Sequence, residues 1–365
     1  METIKFTNKQ VTDKDFAIAL RKNVNAYFKL NKISTNANAA MVIKTIVLMS
    51  IYVVPFVLIL TVPMLLWMAL ILVIIMGIGI AGVGMGVMHD ACHGSYSKKP
   101  WINNLLSGTI YLLGSNIVNW KIQHNVLHHT YTNISGYDED IDEKGPIRLS
   151  ENTPLRWYHK YQFIYAFIFY GMMTITLLFN DFMRLVNYNK KGLLATQNKR
   201  LKVELIKMFL RKIAYLIVVI GFPIWFTPFT WIEVIVGFIL MHWVASIILS
   251  FVFQMAHVVE GAEQPIPEQE IKSNWFIHQF NTTSDFARHN KILGWYVGGL
   301  NFQIEHHLFP NICHIHYSKL APIVEKTAKE FGIKYNLKTS FMQAFSSHIN
   351  TLKDLGTHKK LSVSH

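Results

Sequence analysis

The sequence predicts an all-α integral membrane protein: two transmembrane hairpins, four spans in all, with a helical cytoplasmic cap. Three observations predict it. Of the 365 residues, 51% are apolar and only 16% charged, which is a membrane composition. Two long stretches, 46–88 and 213–256, contain one formal charge between them, Glu233. Eight histidines gather at the edges of those stretches, in three clusters and one outlier.

Residues 1–39 read as a polar arm with some helix, carrying Lys5, Lys9, Lys14, Arg21, Lys22, Lys29 and Lys32. The uncharged run 46–88 is long enough for two crossings of about 20 residues each, with Pro63 in a very short turn. Residues 89–212 then form a long cytoplasmic segment. Within it, the apolar stretch from Tyr161 to Phe179 is followed by Arg184, Lys190, Lys191, Lys199, Arg200, Lys202, Lys207, Arg211 and Lys212. Short loops rich in Lys and Arg stay cytoplasmic. A single crossing at 161–179 would put the second histidine cluster and this basic segment on opposite faces. The stretch is therefore expected to lie in the interface or to re-enter from it. The second hairpin, 213–256, breaks near Thr227-Pro228-Phe229-Thr230, and residues 257–317 return to the cytoplasm.

Leu320, Ile323, Val324, Thr327, Ala328 and Phe331 repeat with helical period. They predict an amphipathic helix over 319–331, with Ser318 as N-cap and Gly332 as its stop. The polar end from about Lys353 is expected to fray. The division expected is an N-terminal arm (1–39), one integrated membrane domain (40–330) and a cytoplasmic tail (331–365). The charged N-terminus predicts no secretory leader. Cys92 and Cys313 imply no disulfide framework. The net charge of +13 follows the positive-inside bias. It does not point to nucleic acid, because the basic residues flank spans and form no separate basic domain. A basic face also suits anionic headgroups and an acidic redox partner.

The clusters are His89-Asp90-Ala91-Cys92-His93, His124-Asn125-Val126-Leu127-His128-His129 and Gln303-Ile304-Glu305-His306-His307, with His257 apart. Imidazole is a common metal ligand. On a helix, positions i and i+4 share a face, so His89/His93 and His124/His128 each converge. The adjacent His129 points about 100° away, so a neighbouring pair can face two metals. Eight imidazoles are too many for one four-ligand site and about right for two. The cap is thus expected to hold a histidine-rich di-metal site. Spacing alone leaves iron, zinc and copper open. Scarce thiolates disfavour zinc ribbons and iron–sulfur clusters. Asp90, Asp138, Asp140 and Glu305 are candidates to orient the rings. Lys98, Lys99, Lys121 and Arg148 are candidates for an anionic headgroup. His242 reads as a neutral imidazole bonded to a neighbouring helix. Cys92 and the remaining histidines read as packing or surface residues.

His-x-x-x-His, His-x-x-x-His-His and Gln-x-x-His-His around two hairpins resemble the membrane fatty acid desaturases. The segment Gly298-Gly299-Leu300-Asn301-Phe302-Gln303-Ile304-Glu305-His306-His307-Leu308-Phe309-Pro310, with Gln opening the third box, resembles the front-end (delta-5/delta-6, linoleoyl-CoA desaturase-like) branch. The resemblance spans roughly 40–330. It implies a non-haem di-iron centre held by His89, His93, His124, His128, His129, His257, His306 and His307. O2 is the co-substrate, and two hydrogens leave adjacent carbons of an acyl chain to give a double bond and water. Gln303 binds metal through its oxygen, through water, or not at all. The acyl carrier is CoA, a carrier protein or a glycerolipid, and the chain would enter a long apolar tunnel lined by the hairpins and segment 101–118. The His-Pro-Gly-Gly motif of a fused cytochrome b5 domain is absent. Electrons are then expected from a separate donor, such as ferredoxin or cytochrome b5 with its reductase. A membrane di-iron hydroxylase or ketolase is the neighbouring reading. A histidine-rich metal transporter fits less well, because transporters place ligands at midplane, often with internal repeats.

Overall fold

The computed structural model describes residues 4–8, 11–142, 145–266 and 270–357. More than half of the expected arm is a docked helix. In α1 (Val11–Asn31), Phe16, Leu20, Val24 and Phe28 recur every four residues and are buried against Leu320 and Val324.

Asn38 caps the next helix, its side chain accepting from Met41 N. The apolar run behind it becomes α2 (Ala39–Thr61) and, beyond the turn at Pro63, α3 (Leu66–Cys92). A π-helical stretch, Gly84–Met88, lies within α3. Residues 117–131 form α4, also π-helical at Lys121–His128. The apolar stretch near 161–179 becomes α5 (Gln162–Tyr170) and α6 (Met173–Lys190), with an 82° bend between them.

Residues 201–226 are helical throughout and form α7. Then comes α8 (Trp231–His257). Thr230 and Glu233 form its capping box: Glu233 Oε2 accepts from Thr230 N at 2.8 Å. The lone charge of the second apolar stretch thus caps a helix.

Among the described residues three helices, α2, α3 and α8, are long and apolar enough to cross a membrane, or four if the bent α5–α6 pair counts as one span. The first arm of the second expected hairpin, 213–226, is the apolar end of α7, whose other half carries Lys202, Lys207, Arg211 and Lys212. Val219 and Pro223 line one cavity with Ile59 and Leu66, at the turn of the first hairpin, and with Glu233, at the start of α8, so α7 carries the chain back to the end of the bundle far from the histidines.

The bend between α5 and α6 packs on α8. Thr174 Oγ1 lies 2.7 Å from Ser246 Oγ and 2.8 Å from His242 Nδ1. His242 is bonded on its other side by Tyr215 Oη at 2.7 Å, as expected of a satisfied core histidine. Ser246 stands about 16 Å along α8 from His257, at 1.5 Å per residue. At its far end α6 returns to the histidine-bearing side, where Tyr188 donates to Glu139. The pair therefore dips in and comes back.

Small residues let α3 sit closely between α2 and α8. A Cβ on Gly77 would stand 2.6 Å from Met241 O, and one on Gly79 2.8 Å from Tyr52 N. Gly77→Val is expected to push α3 off α8 and lower stability by about 1–3 kcal/mol, read as a fall in thermal midpoint in detergent. An unchanged midpoint would contradict this packing.

The cap is completed by α9 (Trp275–Thr282), α10 (Gln303–Leu308), α11 (Tyr317–Glu330) and α12 (Phe341–Gly356). Helix α11 starts one residue before Ser318, so Ser318 is not its cap; Gly332, at φ +68°, follows its end. Two pairs of two-residue parallel strands tie the cap: Lys5–Phe6 with Glu270–Ile271, and Asp285–Phe286 with Leu337–Lys338. The expected frayed end is helical to Gly356, because Leu352 and Leu355 bury against Ala166 and Tyr170. His358 and His365 lie outside the described residues.

His348 on α12 is fully buried, with Nδ1 2.7 Å from Val258 O and Nε2 3.0 Å from Tyr170 Oη. Burial lowers its pKa to about 4. The unfolded chain takes up this proton near pH 6.5 and the folded chain does not. Stability therefore falls as pH drops from 6.5 toward 4, by up to about 1.4 kcal/mol per pH unit from this group. His348→Gln is expected to flatten the thermal-midpoint profile over that window. An unaltered slope would rule the contribution out.

Candidate metal centre

Two spans end at the site. His89 follows the π turn of α3, its N–H bonding Gly84 O, and His257 is the last residue of α8. The second cluster lies on the π-helical part of α4, where His129 N bonds His124 O. A π turn closes five residues on rather than four. It therefore brings His124 and His129 together, with Nε2 atoms 3.2 Å apart. The α-helical geometry expected for this cluster is replaced, while the splitting of the adjacent pair holds. His306 and His307 sit on α10, and the buried Gln303 lies one turn ahead of them.

The eight histidines meet in overlapping groups. His89, His93, His124 and His306 bring ligand atoms within 4.8 Å of one another, as do His128, His257 and His307, and as do His129, His306 and His307. His89 Nε2 is 3.1 Å from His124 Nε2, and His128 Nε2 is 3.2 Å from His307 Nε2. Two imidazole nitrogens bound to one ion at about 2.0–2.1 Å would stand about 2.9–3.4 Å apart. Burial, then the neighbouring imidazoles, hold His124, His129, His306 and His307 well below the ordinary histidine range. They are neutral and present lone pairs.

Oxygen atoms behind the rings decide which nitrogen is free. His128 Nδ1 lies 2.9 Å from Asp138 Oδ2, His307 Nδ1 2.8 Å from Gln279 Oε1, and His257 Nδ1 3.3 Å from Thr282 O. Each is an acceptor, so each ring carries its proton on Nδ1. Three Nε2 lone pairs then face one another without a proton among them, and that of His257 has no hydrogen-bond partner. Buried lone pairs arranged this way are repulsive unless a cation lies between them. The residues fit a metal.

The carboxylates divide. Asp138 is fully buried and orients His128 while also accepting from Asn133 N. Asp140 lies 3.7 Å from the same His128 nitrogen and accepts from Gln123. Asp90 orients a different histidine: its Oδ2 is 2.8 Å from His314 Nδ1 and 3.0 Å from Cys313 Sγ, and His314 Nε2 meets Lys44 Nζ at 2.8 Å. Glu305 touches no ring of the site. Tyr335 Oη bonds both Glu305 and Asp285, and burial, then Asp285, push Glu305 well above the usual carboxylate range. Lys98 and Lys99 are exposed just after the first cluster, and Lys121 is half-buried at the start of the π segment. Arg148 is unsuited to a headgroup. It is buried, and its guanidinium donates to the carbonyls of Glu151, Thr153 and Leu355. Gln279 and Thr282 carried no spacing signal, because they stand 28 and 25 residues from the rings they orient.

A family model described as fatty acid desaturase matches residues 65–339. The chain is 36% identical over 346 residues to an sn-1 linoleoyl-lipid 6-desaturase of Arthrospira platensis, covering 93% of this chain and 92% of that one. It is 32% identical to a protein of the same description from Synechocystis sp., covering 97% and 98%. It is 33% identical to an acyl-lipid (8-3)-desaturase of Physcomitrium patens, covering 94% and 72%. With its spans, its buried histidine clusters and these matches, the chain belongs to the fatty acid desaturase family and is a fatty acid desaturase.

Proposed function

We propose that the eight histidines hold two non-haem irons: His89, His93, His124 and His306 around one, His128, His257 and His307 around the other, and His129 at the boundary. When bound there, irons would supply the chemistry for reduction of O2 and for removal of two hydrogens from adjacent acyl carbons. The observation that carries this reading is the set of three Nε2 lone pairs with every Nδ1 proton turned outward. Asp138, Gln279 and the Thr282 carbonyl keep those protons in place. An apolar cavity among the spans, lined by Ile59, Val73, Met76, Gly237, Phe238 and Met241, takes the far part of an acyl chain and keeps water from it.

The acyl group rides on a glycerolipid, a reading supported by the descriptions of the relatives. The double bond enters on the carboxyl side of an existing one, as the 6-desaturase descriptions suggest. Lys98, Lys99 and Lys121 face the headgroup. The site lies on the cytoplasmic face, where the basic segments favour an acidic donor, a separate ferredoxin or cytochrome b5 with its reductase. Gas chromatography–mass spectrometry of lipid fatty acids, from a host with and without the gene, tests the reading. A new double bond supports it, and a new hydroxyl would assign the chain to hydroxylation instead.

Asp138→Ala removes the acceptor from His128 Nδ1 and leaves that ring free to change tautomer. Iron affinity is expected to fall 10–100-fold, measured by competition with a chelator. Undiminished affinity would remove Asp138 from the site.

A further inference from the structure

We propose that Gln279 is a positioning residue, an amide clamp that aims His307 and locks the second histidine cluster to the third. The inference rests on the reading of His307 as an iron ligand.

Gln279 is fully buried on α9. Its Nε2 donates to His129 O at 3.3 Å, which fixes the orientation of the amide. Its Oε1 is therefore the atom 2.8 Å from His307 Nδ1. The same Oε1 lies 2.9 Å from Thr132 Oγ1, which is also 2.7 Å from His128 O. Trp275 Nε1, one turn earlier on α9, donates to His129 O at 3.1 Å. One side chain thus touches the backbone of His129, the hydroxyl that bonds His128, and the ring of His307. It joins positions that are 150 and 28 residues away in the chain.

The chemistry sets what can replace it. The ring needs an oxygen acceptor at Nδ1 to hold its proton there and leave Nε2 as a lone pair. Glutamate presents an oxygen in either protonation state. Leucine fills similar space and presents none. Nδ1 is then left with only the Thr132 hydroxyl oxygen at 3.3 Å, which is itself held 2.7 Å from His128 O, so the His307 proton can move to Nε2, where it blocks a metal bond.

The test uses the full chain, purified in detergent and loaded anaerobically with 57Fe(II). Wild type, His307→Ala, Gln279→Leu and Gln279→Glu are compared by iron content, by iron release to ferrozine and by Mössbauer spectroscopy. The expected result is that Gln279→Leu releases one of two irons 10–100-fold more readily. It also shifts one quadrupole doublet and leaves the other, while Gln279→Glu restores wild-type retention. Folded Gln279→Leu holding both irons with an unshifted spectrum overturns the proposal. So does folded Gln279→Glu releasing one iron 10–100-fold more readily than wild type, an arm that decides the matter even when Gln279→Leu does not fold. Failure of the underlying reading looks different: wild type then binds no stoichiometric iron, or His307→Ala keeps both.

Discussion

His128→Ala is expected to abolish the new unsaturated fatty acid and to release iron from the protein. The ring supplies one of three facing nitrogens: its Nε2 is 3.2 Å from that of His307, and its ring centroid is 4.7 Å from that of His257. Two neutral nitrogens remain in that group, too few to hold an ion firmly in a site drawn from this cluster. The change also strips Asp138 of its ring partner while the carboxylate stays fully buried. A buried acceptor that loses one partner costs about 1–3 kcal/mol. Asn133 N and Asp140 N still donate to Asp138, so the loop is expected to keep its shape and the protein to fold. The measurement pairs the fatty acid profile with iron content and a melting curve. A folded variant that still makes the product would overturn the ligand assignment.

The second large effect is expected from Gly298→Ala, which touches no ligand. Gly298 has φ +66°, and a Cβ there would lie 2.2 Å from Met85 O and 2.6 Å from Met85 C. Met85 belongs to the π-helical stretch that leads into His89, and Gly298 leads into the third cluster. One residue therefore sets the separation of two histidine clusters. Left-handed strain in a residue with a side chain costs about 1–3 kcal/mol, and forced overpacking against backbone adds about 1–3. The thermal midpoint and the iron content should fall together. Gly94→Ala is the control: φ is +74° but nothing lies within 4 Å of the added carbon, so only the strain is expected. Equal, small effects of the two changes would show that the close approach to Met85 carries no weight.

Much of this was legible in the chain. The uncharged run 46–88 becomes α2 and α3, with Pro63 in the turn between them. The period in 320–331 becomes α11. The three clusters meet, and His128 and His129 fall in different groups, although His306 and His307 also share a group with His129. The misses share one cause: the sequence shows which residues are apolar, not what they face. Lys353 opens a polar-looking end, yet Leu352 and Leu355 find a partner in α5. Asp90 and Glu305 sit beside ring-bearing neighbours in the chain, but a side chain one position away points elsewhere on a helix. Their carboxylates therefore meet His314 in one case and Tyr335 in the other. Arg148 reads in the sequence as a headgroup candidate and is instead a buried brace for three carbonyls.

By itself the sequence determined that this protein has long apolar helices and that eight imidazoles lie at their edges. Hydropathy and i, i+4 spacing are local properties, written in consecutive residues. Only the tertiary structure decided which nitrogen of His128, His257 and His307 is free. That choice depends on an acceptor behind the ring, and Asp138, Gln279 and the Thr282 carbonyl are brought there by packing between segments far apart in the chain.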